Sequence, residues 1–353
     1  MFDQRLDDYK WIEENRQSKL LIYFTGDRHG METQIATDAL EYFSEHLDKI
    51  SKVNNISKVN KISLLLYTRG GDTMAAYSLV NLIRQFCEEF EIIIPSKARS
   101  SGTIISLGAD NIIMTKQATL GPIDPSLNNP LNPQNPQFPN NPQARIPVSV
   151  ESIQGFFDLA KQELKLNDEG NLKDILLNLS EKVHPLVLGS VYRSRTQIQM
   201  VARKLLQKQV GADESEKIEK IISFLCSDSG SHDYAIYRNE ARDELGLTIE
   251  KPNDEQYERI KRVFDNIRED LKLLEPFNPN LKLGAAPTKN YSCRRVLIES
   301  IDGGTDVYVT EGTLIRSNQV INQPPPLPPI NRTTIENQMN FEGWKHENNN
   351  VNL

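Results

Sequence analysis

Three cysteines in 353 residues, Cys87, Cys226 and Cys293, are too few, too far apart and odd in number for a disulfide framework or a cysteine-rich metal site. They read as ordinary thiols. No apolar run reaches signal-peptide or membrane-spanning length, either in the charged start MFDQRLDDYKWIEENRQSKL or later, so the sequence is read as soluble and cytoplasmic, without membrane insertion. Positive charge is scarce as well. Against 41 Lys and Arg stand 48 Asp and Glu, a net charge of −7, and no long basic stretch supplies the usual signature of a phosphate-tracking surface. Nucleic acid is therefore not an expected partner. The His and carboxylate residues lack H-E-x-x-H or Cys-pair spacing, so neither a metal nor another cofactor is expected. The length suffices for a sizeable core in one large domain or two smaller ones.

What is present is an alternation. LLIYFTG (20–26), KISLLLYT (61–68), EIIIPSKA and NIIMTK are apolar, β-rich runs, and between them METQIATDALEYFSEHLDKI, MAAYSLVNLIRQF and SGTIISLGA have helical spacing. Strands that are apolar throughout, separated by helices, predict an α/β fold with a mostly parallel sheet covered by helices. Sites in such sheets lie beyond the carboxyl ends of the strands, where TRGGD and SKARSSG fall.

NNPLNPQNPQFPNNPQ (128–143) is too rich in Pro and Asn for a helix or central strand and reads as a loop inserted into the α/β unit. From Val150 the pattern turns helical: VESIQGFFDLAKQEL, a long stretch over 172–209, EKIEKIISFLC, and DEQYERIKRVFDNIREDLKLLE over 254–275. RRVLIESIDGGTDVYVTEG reads as a β-hairpin turning at Gly303-Gly304. After about Asn318 the Pro- and Asn-rich tail is expected to be disordered, its PPPLPP being either a solvated segment or a polyproline ligand. The expected organisation is a main domain over 1–250 with its loop at 128–146, a helix and hairpin extension over 251–317, and a tail over 318–353.

KARSSGTIISLGAD (97–110) carries the chemistry. A serine hydroxyl attacks a carbonyl only when a base takes its proton and hydrogen-bond donors receive the oxyanion. Ser100 follows a strand and opens a helix, so the amide of Ser101 lies at a helix start, where free N–H groups point outward. A second donor can come from Gly70-Gly71 in YTRGGD, since glycines let the backbone approach a substrate closely. Each feature alone has an ordinary alternative. A serine can cap the helix, and paired glycines can be a plain strand-to-helix turn with Asp72 as cap. Arg69 and Arg99 flank the position and either bind substrate carboxylates or pair with nearby acids.

Taken together, LLLYTRGGDTMAAYSLVNLI and SKARSSGTIISLGADNIIMTKQATLGPIDPSL resemble the Clp-type and signal-peptide-peptidase clan of serine proteases. Within that clan they are most similar to the serine dehydrogenase proteinase family, with its S-x-G-T and L-G-P-I-D-P segments. The likeness spans about 20–127 and returns near His184-Pro185-Leu186 and in HDYAIYRNEARDELGL. It implies a ClpP/crotonase-like fold, to which the pattern read above adds C-terminal helices and a small β-hairpin, together with hydrolysis of peptides or unfolded segments and a homo-oligomer. Aligning S-x-G makes Ser100 the nucleophile, Ser101 the variable position and Gly102 the glycine. Asp110 matches an acid given a structural role such as capping.

The base departs from the clan's pattern. Asp124 stands where a histidine is expected, and Asp233, with His232 beside it, where the orienting acid is expected. Since a triad is defined by roles and not by chain order, His232 as base with Asp124 or Asp233 orienting it is one arrangement. Lys161, on the VESIQGFFDLAKQEL helix, is the second candidate, needing burial to lower its pKa. His184, before a proline, is expected to cap or pack at a helix break, and His29 to sit in a surface loop. Two other functions stay open: a non-catalytic scaffold that has lost its base, and a crotonase-like acyl-CoA enzyme sharing the two-amide oxyanion hole. The loop after GPID either gates a cleft or is inert. The need for an ATPase partner, the ring size and the substrate specificity are not encoded in any motif.

Overall fold

The computed structural model describes residues 2–54, 57–123, 126–127, 129–211, 213–228, 231–321 and 330–347. The first half runs α1 (Leu6–Arg16), β1 (Lys19–Thr25), α2 (Ala39–Asn54), β2 (Val59–Tyr67), α3 (Thr73–Phe86), β3 (Cys87–Ile94), β4 (Lys97–Ala98), α4 (Ser101–Leu107), β5 (Asn111–Met114), β6 (Thr119–Leu120), β7 (Ser126–Leu127) and β8 (Val148–Ser149). The helical stretch follows as α5 (Val150–Asp158), α6 (Glu169–Lys182), α7 (Pro185–Gln209) and α8 (Ser215–Ser223), with π-turns at Leu159–Glu163 and Phe224–Asp228. The chain closes with β9 (Ile236–Tyr237), α9 (Arg238–Asp243), β10 (Ile249–Glu250), α10 (Asp254–Asp270), α11 (Pro279–Leu283), β11 (Thr288–Ser300), β12 (Gly304–Ile321) and β13 (Ile330–Glu347).

Eight strands form one sheet in the order β10-β5-β3-β2-β1-β11-β12-β13. The expected parallel core is there: β10, β5, β3, β2 and β1 all pair in parallel. Beyond β1 the sheet continues antiparallel through β11, β12 and β13. Along β1, Leu21 and Tyr23 enter a core with α2, α3, α4, α7 and α8, while Leu20, Ile22 and Phe24 enter a second core with α1 and α10. Burial on both faces explains why the strand runs lack polar alternation.

Local chemistry sets the helix starts. Asp72 accepts the Ala75 N–H at 2.7 Å and caps α3, as its position after the glycines suggested. Asn253 and Gln256 form a reciprocal capping box on α10. His184 takes the expected capping role, accepting the Leu186 N–H at 3.2 Å before Pro185 opens α7. The Gly303-Gly304 hairpin forms as expected between β11 and β12.

Two expectations need correction. Residues 330–347 of the supposedly disordered tail are strand β13, paired with β12 from Thr305↔Glu347 to Ile321↔Ile330. The PPPLPP segment itself, 324–329, lies outside the described residues. Main-chain pairing holds this strand, so its polar side chains give no warning of it, and Trp344 anchors it by stacking on Tyr42 at 4.5 Å. Nor is 251–317 an appendage. β11 lies directly against β1, and Ile260, Val263, Phe264 and Ile267 of α10 share a core with Tyr9 and Ile12 of α1. The loop at 128–146 has turns stitched by hydrogen bonds such as Asn135 N–H to the Ala144 carbonyl at 2.8 Å, and β7 pairs with β8 at its base.

Candidate active site

Thr68 follows β2 and bridges Ala98, placing TRGGD beside SKARSSG at the carboxyl edge of the parallel sheet. Gly102 brings α4 close: a Cβ there would stand 2.5 Å from Thr68 Cγ2 and 3.2 Å from Ala98 Cβ. That close approach aims the start of α4 at the glycine pair.

Ser100 occupies the turn into α4 with φ 52° and ψ −115°, a conformation that L-residues rarely adopt. Strain of this kind, at a strand-to-helix turn that presents a serine hydroxyl, is the geometry of a nucleophile elbow. The alternative of a capping serine fails, because the Ser100 side chain makes no cap bond. Ser101 differs. Its side chain is buried and its Oγ donates to the Gly71 carbonyl at 2.5 Å. The doublet therefore divides its work: Ser101 clamps the glycine turn, and half-buried Ser100 faces the cleft.

The clamp fixes the amides. Gly70 N–H is already committed to Thr68 Oγ1 at 3.0 Å, and the Gly70 carbonyl accepts the Ile35 N–H at 2.8 Å. In a trans peptide the N–H points opposite to the carbonyl, so the Gly71 N–H is directed away from Ile35. Among the described residues the amides of Gly71 and Ser101 have no acceptor, and Gly71 lines the same cleft as Ser100. Of the glycine pair, then, only Gly71 has an amide without an acceptor among the described residues, the Gly70 N–H being taken by Thr68. A side chain at Gly71 is excluded both by its φ of 148° and by Ile35, whose carbonyl oxygen lies 2.3 Å from the place of a Cβ.

The cleft has a volume of about 890 Å³. His232 lines it together with Ser100, bringing the first-choice base and the candidate nucleophile to one cavity. Asp233 is exposed, its N–H bonded to Ser231 Oγ at 3.2 Å, and does not line the cleft. Asp124 lies outside the described residues. Lys161 is exposed on the π-turn after α5 and does not line the cleft, so it has neither the burial nor the position that a lysine base requires. His29 is 84% exposed and pairs with Glu32, as a surface-loop histidine should. Asp110 takes the expected structural role, accepting two bonds from Arg84 and the Phe90 N–H at 2.8 Å. Described residues of the 128–146 loop do not line the cleft.

One wall has no counterpart in the sequence reading. Arg295 of β11, Tyr308 of β12, and Glu342 and Trp344 of β13 line the cleft opposite the glycine turn. The available signal is Trp344, one of two tryptophans in the chain, standing alone in a polar tail.

A second Ser-His-Asp array lies in the core. Ser300 Oγ is 2.7 Å from His46 Nδ1, and His46 Nε2 is 3.0 Å from Asp306 Oδ2. Because the Asp306 carboxylate accepts, Nε2 carries the hydrogen of that bond, and in that tautomer Nδ1 accepts from the Ser300 hydroxyl, whose oxygen accepts the Gly303 N–H. All three side chains are sealed from solvent, so no substrate carbonyl reaches Ser300 and the array is a structural brace. Burial alone would raise the Asp306 carboxyl, but hydrogen bonds from His46 and His346 outweigh it and hold the group below the usual carboxylate range. A depressed carboxyl contributes stability that is complete above its unfolded value, near pH ~4, and is lost as pH falls through the lower folded value. Asp306→Asn should thus cost about 1.5–3 kcal/mol at pH 7 and converge with the wild type in strong acid. Urea unfolding at a series of pH values measures this, and a pH-independent difference would remove Asp306 from the acid response.

Residues 44–146 match the family model of ClpP-like SDH-type serine proteinases. The matched segment holds Gly70, Gly71, Ser100 and Ser101. Two uncharacterized proteins of Methanocaldococcus jannaschii are similar to the chain. One is 28% identical over 203 residues, 58% of each chain; the other is 27% identical over 188 residues, 53% of this chain and 51% of the relative. The match thus spans only a little over half the length of these curated relatives. Among solved structures, a membrane-bound stomatin-specific protease in complex with a substrate peptide overlaps at 16% identity and a TM-score of 0.36, over 63% of this chain and 72% of that one. ClpP1 from Listeria monocytogenes overlaps at 15% identity and a TM-score of 0.36, over 72% and 99%. Overlap at that level says nothing about chemistry. No helix among the described residues is long and apolar enough to cross a membrane.

Proposed function

We propose that the protein is a ClpP-like serine peptidase that hydrolyses peptide bonds through an acyl-enzyme on Ser100. The observation that carries this reading is the strained Ser100, set between two amides, Gly71 and Ser101, that lack acceptors among the described residues. In the reaction, Ser100 Oγ attacks the peptide carbonyl carbon as its proton passes to a neutral His232. The carbonyl oxygen becomes an oxyanion received by the Gly71 and Ser101 N–H groups. Collapse of the adduct breaks the C–N bond, the proton returns from His232 to the departing amine, and an acyl ester remains on Ser100. Water, deprotonated by the same imidazole, then releases the acid and restores the serine.

A fluorophosphonate probe should label Ser100 in the native protein, and Ser100→Ala should abolish both labelling and peptide cleavage. Undiminished labelling of Ser100→Ala would reject the assignment. His232→Ala should slow labelling by about 10²–10⁴-fold, whereas Lys161→Ala should leave the rate within about twofold. The reverse pattern would move the base to Lys161.

The substrates in this reading are peptides or unfolded segments, since a cleft of about 890 Å³ bounded by the sheet edge and the β13 wall admits an extended chain and not a folded domain. Self-association belongs to the same proposal. Phe156, Leu159, Leu164, Leu176, Leu177 and Leu186 are exposed across α5 to α7, and α6 buries none of its residues within the chain. Apolar exposure on this scale supports an interface between copies. Light scattering should give a mass above that of one chain, and a strict monomer at tens of micromolar protein would count against association.

A further inference from the structure

Two arginines stand beside Ser100 with no acid paired to them among the described residues. Because Thr68 bridges Ala98, and the Arg99 N–H donates to the Thr68 carbonyl at 3.2 Å, Arg69 and Arg99 occupy the next, neighbouring positions of the two segments. Like charges at adjacent positions of paired segments are destabilising unless an anion lies between them. Yet among the described residues neither guanidinium has an ion-pair or hydrogen-bond partner. Arg69 is exposed and lines the cleft one residue before the glycine turn. Arg99 immediately precedes Ser100, is half-buried, packs its stem against Gly121 without lining the cleft, and has a buried Nε with no partner among the described residues.

The rest of the cleft's charge is locally engaged. Arg295 is taken up by Glu342 at 2.7 Å and by the carbonyls of Met31 and Glu32. Asp38 accepts the Trp344 indole N–H at 2.8 Å, Asp72 caps α3, and Glu32 accepts the Gly30 N–H and pairs with His29. What is left over beside Ser100 is cationic, planar and, among the described residues, unpaired, the recognition chemistry of a carboxylate.

We propose that Arg69, with the neighbouring charge of Arg99 outside the cleft lining adding to its attraction, forms a subsite for a carboxylate of the peptide substrate, carried close to the scissile bond. The proposal rests on the peptidase reading and names its substrate class: peptides with an acidic group near the cleaved bond. That group is either an Asp or Glu side chain or the free C-terminus of the peptide.

Binding to Ser100→Ala protein separates this from the hydrolase question, because it needs no turnover. Fluorescent hexapeptides are compared in two arms by anisotropy: Glu against Gln at each position of amidated peptides, and C-terminal acid against C-terminal amide in uncharged ones. The acid should bind about tenfold tighter than its amide partner in one arm, and that arm identifies the source of the carboxylate. Adding Arg69→Gln to the Ser100→Ala protein should erase the preference by weakening the acid peptide to the level of its amide partner. Equal binding of acid and amide in both arms, no binding of any peptide, or a preference that survives Arg69→Gln would overturn the subsite. A preference unchanged by Arg99→Gln, in protein whose melting curve is native, would remove Arg99 from it. Failure of the peptidase reading would appear separately, as absence of probe labelling at Ser100.

Discussion

Glu299→Gln should destabilise the protein by about 3–5 kcal/mol, the loss expected when one member of a buried ion pair is neutralised and the other is left charged. Glu299 is 0% exposed and Arg5 1%. The carboxylate accepts from Arg5 Nε at 3.1 Å, from Arg5 Nη2, from Tyr9 Oη and from Thr305 Oγ1 at 3.0 Å. Arg5 reaches onward to Asn266 Oδ1 at 2.7 Å and Asp270 Oδ2 at 3.1 Å. One guanidinium thus ties the start of α1 to β11 and to α10, segments more than 250 residues away in the chain. Glutamine keeps the shape but presents an N–H₂ where Arg5 and Tyr9 need acceptors, so donors face donors in a place without water. Urea denaturation gives the measurement, and a loss below about 1 kcal/mol would mean that Asp270 alone satisfies Arg5. Pairing the change with Arg5→Met should restore part of the stability, since an apolar pair of similar volume has no buried charge to strand. Labelling of Ser100 should survive in whatever fraction stays folded, because this brace lies in the core between α1, α10 and β11 and does not line the cleft.

How much of this was legible in the sequence depends on how local each signal is. The parallel strands and the Ser-Gly turns are written in contiguous residues: apolar runs, glycines after a strand, a serine before a small-residue helix. α1 is not, because its core contacts, Tyr9 and Ile12, are two apolar positions among charges that look like a solvated surface. The Arg5–Glu299 pair has no sequence signature at all, being 294 positions apart. β13 is held by main-chain bonds, which any residue can make, and so INRTTIENQMNFEGWKHE reads as a polar tail. Within the site, the glycine pair was legible as a source of donors but the choice between its members was not. That choice turns on Thr68 Oγ1, whose reach to the Gly70 amide exists only once β2 has its turn. His232 was legible as a candidate, but the residue that would orient it was not, since chain order does not fix the roles in a triad and Asp233 does not line the cleft.

Ser100→Gly should yield a protein more stable than Ser100→Ala and equally dead. At φ 52° and ψ −115° a residue with a Cβ stores about 1–3 kcal/mol of backbone strain, which alanine retains and glycine relieves. Against that gain, glycine gives the unfolded chain extra freedom, about 0.4–1 kcal/mol, so the net difference between the two variants should be about 1 kcal/mol in favour of glycine. Both lack the hydroxyl, and peptide hydrolysis should fall by about four to six orders of magnitude in each. The comparison is informative because the two variants share the chemical deletion and differ only in what the backbone costs. A strained serine that does nothing would be expected to drift to glycine without penalty. In the proposed mechanism the strain is offset by what it provides, since the strained residue lines the cleft at the start of α4. Paired urea titrations of the two variants give the measurement. Equal stabilities, or a less stable glycine variant, would mean that the turn is relaxed and that the elbow reading of Ser100 has no energetic basis.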